Sequence, residues 1–140
     1  MKIYVYQGLR GSGKTTILKK AYDAWKRVEF VFGKRIRFSG GAIEVVSKNN
    51  VNIAFCVNCR DEEIADSALN LAASNVCDIV VVECETEATF ARIKKFSDVN
   101  DCELHTRHKF PRRPVLPYSQ DNEEVDAILS DLKKFISKES

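Results

Sequence analysis

A chain of 140 residues is the size of one domain, and its 44% hydrophobic and 30% charged residues supply enough apolar surface for a core and argue against wholesale disorder. Its longest unbroken apolar stretch, "IAFCV", falls far short of the roughly 20 residues a membrane helix needs, and no signal peptide opens the chain. We therefore expect a single cytoplasmic domain over residues 1–140 with no membrane contact; the net charge of +2 selects no partner class.

The first element in chain order is the apolar run "KIYVYQ". Ile3 and Val5 face one way and Tyr4 and Tyr6 the other, the pattern of a strand buried on both sides. It runs directly into "GLRGSGKTT", residues 8 to 16. Beyond that, Ile17, Leu18, Ala21, Trp25 and Val28 recur at helical spacing. The order is strand, glycine-rich turn, helix.

Residues 34 to 48, "KRIRFSGGAIEVVSK", predict a β-hairpin. With Gly40 and Gly41 as the two turn residues, Phe38 faces Ile43, Arg37 faces Glu44 and Ile36 faces Val45, so apolar pairs line one face and an ion pair the other. A strand "VNIAFCV" (51–57) follows, then a helix from about Asp61 to Ser74 with Ile64, Ala68, Leu71 and Ala72 on one face and Asp61 as its N-cap. The run "DIVVVE" (78–83) predicts a strand, residues 87 to 96 a short basic helix, and residues 102 to 108 another strand. "FPRRPVLPY" reads as a proline-marked loop, and Asp121 with Glu124 as the capping box of a last helix with Val125, Ile128, Leu129, Leu132 and Ile136 as its buried stripe. Strands alternating with helices predict an α/β fold, a mainly parallel sheet flanked by helices with an inserted hairpin around residues 34–48.

Gly8, Gly13, Lys14 and Thr15 satisfy GxxxxGK[ST] in the context that gives the pattern meaning, after a strand and opening a helix. A loop whose backbone N–H groups point inward, backed by the positive end of a helix, neutralises phosphates. Glycines at 8, 11 and 13 permit the close backbone approach such a loop needs. In this respect the chain resembles the P-loop NTPase superfamily. The resemblance implies that Gly8, Leu9, Arg10, Gly11, Ser12, Gly13, Lys14, Thr15 and Thr16 cradle a nucleoside triphosphate, ATP first among them, with Lys14 on the β- and γ-phosphates and the Thr15 hydroxyl on Mg²⁺. It also implies an acid at the end of a second strand. Asp78 stands at the wrong end of its strand, whereas Glu83 follows four apolar residues at the right end, so Glu83 is expected as the second metal-organising residue and Glu85 as the group that polarises water. This departs from the family pattern, in which the first acid is usually Asp and, in the ATPase branches, a Glu commonly follows it at once; here Cys84 intervenes. The Asn-Lys-x-Asp motif of guanine-specific members does not occur.

Around this site the sequence offers further candidates. Asn58 and Arg60 follow the strand at 51–57 and stand where a γ-phosphate sensor would. The basic segment "TRHKFPRR", with four Lys or Arg between 107 and 113, suits either an Arg-bearing lid or a strip contacting nucleic acid or a protein partner. Cys56-x-x-Cys59 and His105-x-x-His108 supply zinc-type ligands, but residues three apart on a strand face opposite ways, so five reduced thiols are the simpler expectation. The expected function is Mg²⁺-dependent ATP hydrolysis by Lys14, Thr15, Glu83 and Glu85. The alternatives are a small nucleotide or metabolite kinase in which Arg107, Arg112 or Arg113 closes over an acceptor, and a non-enzymatic nucleotide-gated binding module. An oligomer is compatible with each.

Overall fold

The computed structural model describes residues 1–7, 23, 32–48, 50–56, 61–109, 130, 133 and 134. The predicted helix after "GLRGSGKTT", the proline segment and most of the last helix lie outside them. The described elements are β1 (Lys2–Gln7), β2 (Phe32–Phe38), β3 (Gly41–Lys48), β4 (Val51–Cys56), α1 (Glu62–Ser74), β5 (Ile79–Cys84), α2 (Glu87–Val99) and β6 (Glu103–Lys109). The six strands form one sheet in the order β2-β3-β4-β5-β1-β6. β4, β5, β1 and β6 run parallel, β3 pairs antiparallel with β4, and β2 pairs antiparallel with β3. The fold is therefore α/β, with a parallel half and a hairpin on one side, as the alternation of elements predicts.

β1 is the first strand in sequence and sits between β5 and β6, which explains its composition. Tyr4 and Tyr6 are as buried as Ile3 and Val5. Ile3, Val5, Val80, Val82, Ala54, Cys56, Ile43 and Val45 meet the helices on one face, where α1 contributes Ala65, Ala68, Leu69 and Ala72 and α2 contributes Ile93 and Phe96. Three alanines on the buried stripe of α1 let its backbone approach the sheet closely. Tyr4, Tyr6, Val46, Ile53, Phe55, Ile79, Val81 and Glu83 fill the opposite face and are also buried. Each fully buried aliphatic side chain contributes about 1.5–3 kcal/mol.

The hairpin forms where expected but in a different register. Phe38 pairs with Gly41, Ile36 with Ile43 and Arg35 with Glu44, so Ser39 and Gly40 make the turn. Phe38 therefore does not face Ile43, and it is Arg35, not Arg37, that holds Glu44 in an ion pair. Each glycine has its own reason. Gly40 takes φ +96, which L side chains rarely adopt, while a Cβ on Gly41 would stand 2.9 Å from Cζ of Phe38, whose ring needs that space. A shift of two residues preserves the faces, so the segregation of apolar and charged pairs survives the correction.

Helix boundaries follow local capping. Asp61 Oδ1 accepts from the Ile64 N–H at 2.9 Å and Thr86 Oγ1 from the Thr89 N–H at 3.1 Å, each satisfying one of the open donors of a first turn. α2 runs three residues past the predicted end, to Val99. Both helices stop with one and the same turn. The Asn75 backbone N–H and side-chain amide both donate to the Leu71 carbonyl, Val76 takes φ 55, and the Cys77 N–H donates to the Ala72 carbonyl. Asn100, Asp101 and Cys102 repeat this on Phe96 and Ser97. "NVCDI" and "NDCEL" thus place Asp78 and Glu103 at the heads of β5 and β6, on either side of Lys2.

Candidate functional site

Four parallel strands bring their carboxyl ends to one edge of the sheet, the position where open α/β sheets bind ligands. Segment 8–16 leaves β1 there, 57–60 leaves β4, Glu85 and Thr86 leave β5, and the chain from Phe110 leaves β6. Gly8, Leu9, Arg10, Gly11, Ser12, Gly13, Lys14, Thr15 and Thr16 lie outside the described residues, as do Asn58, Arg60, Arg112 and Arg113. What the structure describes is the strand before segment 8–16: β1 ends at Gln7, with β5 hydrogen-bonded on one side and β6 on the other.

Glu83 is the residue of this edge that ordinary packing explains least. It is 0% exposed on a central strand, in register with Tyr6 and therefore two residues short of Gly8. Neighbouring strands stand about 4.8 Å apart. Alternation puts Glu83 on the Tyr6 face, while Val82 and Cys84 turn to the helices. Carboxylates are seldom fully buried, because removing the charge from water is costly without polar partners. Asp78 stands at the opposite end of β5. Its Oδ2 accepts from the Asn52 N–H at 2.9 Å, which ties the start of β5 to the start of β4 and gives Asp78 a structural task.

Glu85 is half-buried and is the one residue between β5 and the N-cap of α2. That junction is tightly held. The Cys84 thiol donates to the Thr86 carbonyl at 3.1 Å, and the hydroxyls of Thr86 and Thr89 are 3.0 Å apart, with Thr89 1% exposed. Asp61 occupies the equivalent place after β4, so both described helices begin on this edge and direct their positive ends toward it.

The other candidates separate in space. Cys56 belongs to the core beneath the helices, whereas His105 stacks on Tyr4 from the far face, with ring centroids 5.1 Å apart and an interplanar angle of 16°. β4 and β6 are three strand spacings apart, about 14 Å, so the two pairs cannot share a zinc ion. Cys56, Cys77, Cys84 and Cys102 are free thiols. Burial, with Asp78 adding and Lys34 opposing, pushes the Cys77 thiol from 9.0 up to about 11, so it stays protonated and inert near neutrality. The basic segment starts within the sheet. Thr106 and His108 pair with Val5 and Tyr6, so Arg107 is the extra residue of a bulge in β6 and its backbone is strand, not lid. Sequence reasoning also missed the doubled Asn-x-Cys-acid junction, whose signal was a recurrence of five residues.

The arrangement is an α/β fold whose mixed six-stranded sheet carries β1 between β5 and β6, and β1 runs in sequence into the glycine-rich segment 8–16. No family model matches the chain, and no curated protein matches it. Among solved structures it is similar to the X-ray crystal structure of a MobB protein homolog from Bacillus stearothermophilus, at 16% identity over 96% of this chain and 99% of that one, with a TM-score of 0.38. A similarity of that degree carries no function from one chain to the other. Among the described residues, no helix is long and apolar enough to cross a membrane.

Proposed function

We propose that this chain binds a nucleoside triphosphate with Mg²⁺ at the carboxyl edge of its parallel strands and hydrolyses the γ-phosphate, ATP being the expected substrate. One observation carries the proposal: the strand that runs into GLRGSGKT lies beside the strand whose next-to-last residue is the fully buried Glu83, in register two residues before Gly8. In this proposal the amides of residues 8–16 and the Lys14 ammonium hold the phosphates. Thr15 and Glu83 supply oxygen ligands, the donor chemistry Mg²⁺ prefers, Glu83 acting through bound water. Glu85, next to the positive end of α2, orients the attacking water.

The experiment is a survey of common triphosphates with Mg²⁺, reading released phosphate and phosphorylated products in parallel, on the parent and on Lys14→Ala. The parent is expected to release phosphate, and the variant to lose affinity and at least a hundredfold in turnover, the scale on which one positioned charge acts on a transferring phosphoryl group. Unchanged affinity and turnover in Lys14→Ala would remove the site. A phosphorylated acceptor without phosphate release would reassign the reaction to a kinase.

A further inference from the structure

Among the described strands β2 and β6 close the sheet, and the charged residues of β2 are all cationic. Its seven residues pair with β3 along their whole length, and no described strand covers the other side. Ile36 and Phe38 pack against the core, and Ile64 of α1 lies 3.6 Å from the position a Cβ on Gly40 would take. The edge is therefore anchored to the helix layer. Lys34, Arg35 and Arg37 are all exposed, and no acid occurs in β2. By alternation Lys34 projects on the helix face and Arg35 and Arg37 on the other.

Three chemistries could use such an edge, and the residues choose among them. A second copy of β2 would set three cations against three cations, a repulsive arrangement of the kind that keeps natural edges from self-pairing. A nucleic-acid backbone would want cations gathered on one face without a nearby anion. Here Lys34 faces away from the other two, and the Glu44 carboxylate lies against Arg35. An extended acidic segment suits the pattern. It would take main-chain hydrogen bonds from the open edge and set carboxylates beside cations on both faces. We propose that the edge of β2 that no described strand covers is a docking site for an extended acidic peptide segment of a protein partner, added to the described sheet as a seventh strand. The proposal does not depend on nucleotide.

The test uses the whole chain and a fluorescent peptide of repeating Glu-Glu-Val-Val, which sets carboxylates on both faces of an added strand, with fluorescence anisotropy as readout. Saturable binding is expected, several-fold weaker at about 0.3 M salt than at low salt. Lys34→Glu with Arg37→Glu, which touches only exposed side chains, should weaken it about tenfold or more at unchanged circular dichroism. The same peptide N-methylated at alternate residues should not bind, because it cannot complete the ladder. Equal binding of the N-methylated peptide, no effect of the double variant, or no saturable binding at all would each overturn the proposal. So would tighter binding of a DNA or RNA oligonucleotide that displaces the peptide, or a stable dimer of the chain that the double variant dissolves.

Discussion

Replacing Glu83 by Gln separates a carboxylate kept for chemistry from one kept for the fold. The amide has nearly the same shape, so no cavity forms at this 0% exposed position. If Glu83 organises Mg²⁺, turnover falls by about 10²–10³, equivalent to about 3–4 kcal/mol in the barrier. Stability then changes by less than about 1 kcal/mol, because the amide keeps the side chain's volume and one of its oxygen acceptors. At this length 1 kcal/mol moves the Tm by about 3–4 °C, so calorimetry resolves the effect. The paired assays are Mg²⁺-dependent phosphate release and thermal unfolding of the same preparations. Turnover within about threefold of the parent, or a loss of more than about 3 kcal/mol in stability that accounts for the lost activity, would refute the reasoning and make Glu83 a member of a structural network.

Other expectations follow from the packing. Asp61→Ala removes the side-chain acceptor of the Ile64 N–H and should lower stability by about 1 kcal/mol in urea denaturation, additively with Thr86→Ala at the other helix, since separate caps share no partner. Gly40→Ala should destabilise by roughly 1–2 kcal/mol through its φ of +96, whereas Gly41→Ala should act through the Phe38 ring and be relieved in a Phe38→Ala background. The Cys77 thiol has its pKa raised from 9.0 to about 11, so the folded state keeps a proton that the unfolded chain loses. Its contribution to stability is present in full below pH 9 and declines as pH climbs toward 11; the difference in unfolding free energy between the parent and Cys77→Ala should stay constant below pH 9 and change across that range, other groups titrating alike in both.

β1, β4 and β5 were legible in the sequence because each is an apolar run bounded by turn signals, and Asp61 because an acid heads a helical pattern. Glu83 stood out as a candidate, an acid after Ile79–Val82, but its burial did not, since the same string suits a carboxylate at the water's edge. The hairpin was legible in place and not in register. Gly40–Gly41 permits two turns, and what separates them is the Phe38 ring over Gly41 and the contact with Ile64, both tertiary. The sequence reading stops α2 three residues short, at Phe96; Asn100, recurring after Asn75, was the unused stop signal. Segment 8–16 was the clearest motif in the chain, and its conformation lies outside the described residues.

The placement of β1 has a consequence for biosynthesis. The strand leaves the ribosome well before its partners in the ladder, which begin at Ile79 and Glu103. The β2-β3-β4 meander can zip up locally while "IYVY" waits, greasy and unpaired, for the slot between β5 and β6 to arrive. Insertion of β1 is then the late, long-range step of folding. A nascent chain stalled before Lys109 would carry an unfilled slot and a stranded partner for it, the species on which a cell's chaperones would act.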